Sequence, residues 1–196
     1  MRQLLLATRN AHKTREFAQI LGAEFEVRDL ANAPQSAPME ETGLTFAENA
    51  ILKAVAISKQ FPALVVADDS GLEVEALRGA PGVYSARYAG ERASDAENVA
   101  KLLAELARCE LEAGARVARF RCALALAREG KILGIFEGVV EGTIVHTPRG
   151  SAGFGYDPIF QPAGLSRTFA ELSPLEKNRI SHRARAIQSL RAALLA

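Results

Sequence analysis

Thr8-Arg9-Asn10-Ala11-His12-Lys13 sets the neutral donors Thr8 and Asn10 among the cationic or ionisable Arg9, His12 and Lys13, with Arg15 just beyond. The apolar run before it, residues 4–7, reads as a buried strand. A strand end that opens into a helix N-terminus offers backbone N–H groups and the positive end of the helix dipole, which suits a phosphate. The Gly-x4-Gly-Lys-Ser/Thr spacing of a P-loop is absent. The competing reading is a polar strand-to-helix turn with solvated basic side chains.

Asp68-Asp69-Ser70-Gly71 follows the apolar run 64–67. Ligands of open α/β sheets bind beyond the carboxyl ends of strands, where this pair would lie. On extended backbone two adjacent carboxylates point to opposite sides, so one could face a site while the other anchors the turn. Mg²⁺ takes one or two protein carboxylates with substrate phosphates and water; an Asp/Ser/Gly turn without chemistry is the alternative. Glu40-Glu41-Thr42-Gly43 adds carboxylates that alone read as a solvated loop. Lys53 is more informative. At helical spacing it shares a stripe with Phe46, Ala50 and Ile57, and an inward ammonium needs a carboxylate or a phosphate as partner.

Gly150-Ser151-Ala152-Gly153-Phe154-Gly155-Tyr156-Asp157-Pro158 combines glycines with two aromatic rings and an acceptor. Such a segment could hold a purine between a ring and backbone amides, or be an aromatic surface loop. Lys177 with Ser181-His182-Arg183 groups cations at a helix junction, where alone they read as a solvated face. Taken together, Lys13, Lys53, Lys177, His182 and Arg183 make a cationic rim for a triphosphate, with Asp69 and Glu41 for its metal.

These residues need elements to hold them. A helix is expected over residues 13–21 and a strand over 25–27. Thr45-Phe46-Ala47-Glu48 is a capping box whose helix runs to Phe61, before Pro62. Residues 64–67, apolar on both faces, read as a central parallel strand. Ser94-Asp95-Ala96-Glu97 is a second capping box, opening a helix to about Ala113. Residues 120–124 and 132–145 read as strands joined through Glu129-Gly130-Lys131 as a hairpin. Ser173-Pro174-Leu175-Glu176 is a third box with Pro at the first helical position, and residues 181–195 carry apolar side chains at helical spacing. The pattern predicts an α/β fold with a mixed sheet.

The 196 residues, about half apolar and a quarter charged, suit one substantial domain or two small lobes sharing a cleft. A net charge of +1, without a basic stripe interleaved with aromatics, argues against nucleic acid as a partner. No apolar run reaches the roughly 18 residues of a membrane helix, and the first apolar run is too short for a signal peptide. Cys109 and Cys122 have no paired His or Cys ligands nearby, which argues against a zinc site or disulfide framework and points to a reducing cytoplasm.

Read as one ordered set, the blocks resemble the inosine/xanthosine triphosphate pyrophosphatase family over essentially the whole chain, 1–196. They are Ala7-Thr8-Arg9-Asn10 with Lys13 and Glu16, Glu41-Thr42-Gly43-Leu44-Thr45-Phe46 with Glu48-Asn49-Ala50, and Leu52-Lys53-Ala54. Asp68-Asp69-Ser70-Gly71-Leu72, Gly79-Ala80-Pro81-Gly82-Val83-Tyr84-Ser85-Ala86-Arg87, Phe154-Gly155-Tyr156-Asp157-Pro158-Ile159-Phe160 and Ser181-His182-Arg183 follow. The family has Gly where this chain has Arg9. The resemblance implies one domain of two lobes around a long mixed β-sheet flanked by helices, with a central substrate cleft, in a homodimer. It implies hydrolysis of non-standard purine triphosphates (ITP, dITP, XTP) to the monophosphate and pyrophosphate. Asp69 would match the catalytic carboxylate, and Glu41 with Asp69 the Mg²⁺ region. Thr8, Arg9, Asn10, Ala11, His12, Lys13, Lys53 and Ser70 would match phosphate contacts. Phe154, Gly155, Tyr156, Asp157, Lys177, His182 and Arg183 would match the nucleoside end.

Hypoxanthine and xanthine present a 6-oxo acceptor where adenine presents a donor. A site with a donor there, from Arg183 or a backbone amide, rejects adenine. The alternatives are a related pyrophosphatase acting on modified pyrimidine or methylated nucleotides, and a nucleotide-binding regulatory module without catalysis. The pairing of Asp69 with Glu41 weighs against the second, since binding alone needs no second carboxylate beside the phosphates.

Overall fold

The computed structural model describes residues 2–31, 41–109 and 116–196. Strand β1 (Arg2–Leu6) feeds helix α1 (Ala11–Leu21), and the chain returns as β2 (Phe25–Asp29), parallel to β1 with Leu4 opposite Val27. Helix α2 (Phe46–Gln60) leads to β3 (Val65–Val74), which also lies parallel to β1. Helix α3 (Asp95–Arg108) precedes the hairpin of β4 (Val117–Arg128) and β5 (Lys131–Ile144). A short strand β6 (Phe160–Pro162) runs antiparallel to β5, and helices α4 (Pro174–Ile180) and α5 (His182–Leu195) close the chain. The sheet order is β2-β1-β3-β4-β5-β6, so the sheet is mixed, as the alternation of elements predicts.

Local signals set most element ends. Thr45, Ser94 and Ser173 each accept a hydrogen bond from the amide three residues on, and Glu48, Glu97 and Glu176 each bond back to the cap. The hairpin turns at Glu129 and Gly130, whose φ angles of 52° and 76° are both positive, the geometry that matches the twist of paired strands. Glu40 lies outside the described set, and the helix expected to reach about Ala113 ends earlier, at Arg108, where Cys109 turns extended; residues 110–115 lie outside the described set.

One expectation is corrected. Asp68-Asp69-Ser70-Gly71 lies inside the ten-residue strand β3, not in a turn beyond an apolar strand. Strand hydrogen bonding continues through both carboxylates because each meets cations, as described below.

The chain divides into two compact units, one of Met1–Asp69, Cys122–Gly138 and His182–Ala196, the other of Ser70–Arg121 and Val139–Ser181. The first packs Leu4, Leu6, Phe17 and Leu21 with Val66, Leu124, Ile187 and Leu190. The second packs Leu72, Leu102 and Leu106 with an aromatic group in which Phe160 lies 4.6 Å from Phe120 and 5.2 Å from Phe169, centroid to centroid.

Candidate functional site

In the first unit, Lys53 of α2 points inward as its stripe predicts. Its Nζ donates to Asp69 Oδ1 at 2.9 Å, to Glu41 Oε1 at 3.0 Å and to the Asp68 carbonyl oxygen at 2.9 Å. Three oxygens thus converge on one cation. Burial alone would lower the Lys53 pKa, but the Asp69 and Glu41 charges outweigh it and hold it above the ordinary value. Burial, reinforced by the like charge of Glu41, pushes the Asp69 carboxyl up against the pull of Lys53. The second oxygen of Asp69 accepts from Asn49 Nδ2 at 3.2 Å.

Asp68 points to the opposite face of β3, as alternation along a strand requires. Its Oδ2 accepts from Arg183 Nε at 2.7 Å and from the Cys122 thiol, while Oδ1 pairs with Lys13 Nζ. Lys13 Nζ also reaches the Asp68 carbonyl at 3.5 Å, so the ammoniums of Lys13 and Lys53 meet at one peptide oxygen. Arg183 is completed by Glu16, whose Oε2 accepts from NH1 at 2.6 Å. Arg183 is 1% exposed and His182 4%. The solvated face that Ser181-His182-Arg183 suggested by itself is therefore not what forms. The backbone of Gly138 lies against this helix start, where an added Cβ would sit 2.1 Å from the His182 carbonyl oxygen.

At the start of α1, Asn10 is the cap: its side-chain oxygen accepts from the amides of His12 (2.9 Å) and Lys13 (3.3 Å). Two of the amides that a strand-to-helix junction could offer a phosphate are thus covered by the chain itself. Thr8 Oγ1 accepts from the Asn10 amide. Arg9, Ala11 and His12 are exposed, and the backbone of Arg9 is outside the left-handed region, so the side chain sits in this turn without φ strain. Ser70, half-buried, is the first residue of the second unit.

In the second unit, Asp157 Oδ2 accepts from Lys177 Nζ at 2.6 Å and from the Phe154 amide at 2.9 Å. Lys177 Nζ lies 4.9 Å from the centre of the Phe154 ring, a cation–π contact. The next amide, that of Gly155, donates to Asp95 Oδ2 at 2.6 Å. Gly153 presses on the Asp157 carboxylate so closely that an added Cβ would lie 2.0 Å from Oδ2, and its φ of +77° also favours glycine. Tyr156 is buried, with its hydroxyl donating to the Ser85 carbonyl oxygen at 2.9 Å. Phe154 remains partly exposed, a flat apolar face on a braced loop.

The expected residues therefore gather into two groups. Glu41, Lys53 and Asp69 join Lys13 and Arg183 in the first unit, and Phe154 to Asp157 join Lys177 in the second. Sequence reasoning gave no role to Asn49, Glu16, Cys122 or Asp95. Asn49 could have been found, since it lies four residues before Lys53 and so shares its helix face. Nothing local marks the pairing of Asp95 with Gly155.

Comparison with known proteins adds three findings. The Ham1 family model matches residues 4–193. The dITP/XTP pyrophosphatase of Geobacillus kaustophilus (strain HTA426) is 51% identical over 97% of this chain and 93% of its own, and that of Bacillus subtilis (strain 168) is 50% identical over 97% and 96%. The solved structure of a HAM1 protein from Coxiella burnetii superposes with a TM-score of 0.87 at 44% identity, covering 100% of this chain and 99% of that one.

Proposed function

The chain belongs to the Ham1 family, and on that premise we propose that the Glu41, Lys53 and Asp69 group of the first unit takes phosphate and that the Phe154 to Asp157 and Lys177 group of the second takes the nucleoside. The chain is a hydrolase of non-standard purine nucleoside triphosphates, in line with relatives named dITP/XTP pyrophosphatase. The products are the monophosphate and pyrophosphate. The observation that carries the site assignment is the convergence of Asp69, Glu41 and the Asp68 carbonyl on Lys53 Nζ.

The chemistry follows from those positions. A water oxygen bonds to the α-phosphorus, the bond from that phosphorus to the α–β bridging oxygen breaks, and pyrophosphate leaves with the electron pair. Asp69 accepts the water's proton, and its upward-shifted carboxyl makes it a better proton acceptor than an ordinary carboxylate. Lys13 and Lys53, whose ammoniums meet at the Asp68 carbonyl, stand against the negative charge of the phosphates. We assign phosphate contacts to Thr8, Arg9, Asn10, Ala11, His12 and Ser70 as well.

Glu41 and Asp69 are the residues that would hold Mg²⁺. Their oxygens already turn toward a common cation, the all-oxygen donor set suits Mg²⁺ over zinc, and a pair of carboxylates leaves room for phosphate and water ligands. Held by these two carboxylates, the ion would supply positive charge against the leaving pyrophosphate.

At the nucleoside end, the Phe154 ring backed by Lys177 offers a stacking face for a purine. Gly155, Tyr156 and Asp157 hold that ring in place. We assign to this protein a homodimer in a reducing cytoplasm, which suits the two unpaired thiols of Cys109 and Cys122. Among the described residues no helix is long and apolar enough to cross a membrane.

The test is a product assay with Mg²⁺ and inosine, xanthosine, adenosine, guanosine and modified pyrimidine triphosphates. Monophosphate plus pyrophosphate from the inosine and xanthosine substrates is the expected result. Orthophosphate, or equal use of all substrates, would overturn the reading. Asp69→Asn should abolish turnover while nucleotide still binds, and light scattering of the purified protein reports the dimer.

A further inference from the structure

Asn49 is fully buried in α2, on the stripe that otherwise holds Phe46, Ala50, Ala54 and Ile57. Its Nδ2 donates to Asp69 Oδ2 at 3.2 Å, and its Oδ1 accepts from the Gly43 amide at 2.8 Å. Both partners fix which way the amide lies, because a carboxylate only accepts and a backbone N–H only donates. The contact with the loop is close: a Cβ added at Gly43 would lie 2.7 Å from Asn49 Oδ1 and 2.8 Å from Glu48 Cβ. Gly43 stands two residues after Glu41.

Lys53, one helical turn further on, takes the other oxygen of Asp69. The two contacts differ in kind. An ammonium is a rotating point charge that sets distance, whereas a planar amide held at both ends sets direction. A carboxylate held by Lys53 alone could swing about its Cβ–Cγ bond.

We infer that Asn49 is a positioning residue for hydrolysis: its buried amide ties the Asp69 carboxylate to the backbone of the loop that carries Glu41, and so fixes the two carboxylates relative to each other. The inference rests on the roles assigned above to Asp69 and Glu41. It needs no contact between Asn49 and substrate. A displacement of about 1 Å at a reacting group can cost about 10²-fold in rate, which sets the size of the effect.

Two variants approach the tie from opposite ends. Asn49→Leu keeps the forked shape and removes both hydrogen bonds, and Gly43→Ala pushes the loop off an intact Asn49. The measurements are kcat and KM for inosine triphosphate with Mg²⁺, calorimetric binding of inosine monophosphate to metal-free protein, and near-ultraviolet circular dichroism. The expected result is a fall in kcat of about 10²-fold for Asn49→Leu and about 10-fold for Gly43→Ala, with KM and monophosphate binding within about threefold of the parent. If Asn49→Leu does not fold, Gly43→Ala decides. A kcat within twofold of the parent in Gly43→Ala or a folded Asn49→Leu overturns the inference. So does a fall in kcat matched by lost monophosphate binding and lost tertiary signal, which is what a purely structural residue would give. An unmodified protein that cleaves no triphosphate sinks the site assignment instead, and the two failures are told apart by that control.

Discussion

Arg183 Nε donates to Asp68 Oδ2 at 2.7 Å, joining two residues 115 positions apart whose side chains are almost wholly out of water. Burial by itself would push the Asp68 carboxyl up, yet Arg183 and Lys13 hold it well below the usual carboxylate range. The pair lets a strand run through an aspartate and anchors the first turn of α5 to β3.

Removing the cation should therefore cost more than a surface ion pair does. Arg183→Met leaves Glu16 and one oxygen of Asp68 facing a buried apolar side chain, with Lys13 still on the other oxygen. Breaking one partner of such a pair costs about 3–5 kcal/mol. For a chain of this size that is a fall in Tm of about 6 °C or more. Calorimetric unfolding checks it, and a fall under about 2 °C would show that the pair is not needed to hold the buried charge.

Lys53→Met removes the cation that Asp69 and Glu41 share. The two carboxylates then repel, and the phosphate end loses a positive charge. A fall in kcat of about 10²–10³-fold is expected, the usual scale for a preorganised electrostatic contact. Steady-state turnover of inosine triphosphate measures it; an unchanged kcat would remove Lys53 from the site.

Lys177→Met leaves Asp157 without its 2.6 Å partner and takes the cation from beneath the Phe154 ring. The loop that carries the ring loses a brace. KM for inosine triphosphate should rise by about tenfold while kcat changes less, since the interaction is made equally in ground and transition states. A kcat loss with constant KM would place Lys177 in the chemical step instead.

Glu176 caps α4 and pairs with Arg167 at 2.8 Å; the Arg167 bond and then the Ser173 amide lower its pKa from 4.5 to about 2. A carboxyl depressed on folding contributes stability above its unfolded value and loses it as pH falls through the folded one. The stability gap between the parent and Glu176→Gln should thus be full above about pH 5 and close between pH 4.5 and about 2. Urea unfolding at pH 7 and pH 3 reads the gap. Because the side chain is exposed the gap is small, and one that did not shrink with pH would assign it to the cap geometry alone.

Much of this protein follows from short stretches of chain. The three capping boxes at Thr45, Ser94 and Ser173, the hairpin at Glu129 and Gly130, and the inward stripe of Lys53 depend on residues within one or two turns of each other, so their partners can be read off the chain. The family resemblance was likewise carried by ordered blocks such as Phe154-Gly155-Tyr156-Asp157. What could not be read is which charge meets which. An arginine at the start of α5 has the same neighbours in sequence whether water or Asp68 takes its guanidinium. Asp68 looks like part of a turn until Arg183 and Lys13 neutralise it within a strand. The same holds for Asp95 on the Gly155 amide, 60 residues away, and for the two faces of the Asn49 amide. Local propensity and periodicity determine which elements form, because their energies are settled between near neighbours. The partners of buried charges are settled only when distant segments pack, because an ion removed from water must find its counter-charge wherever the fold has brought one.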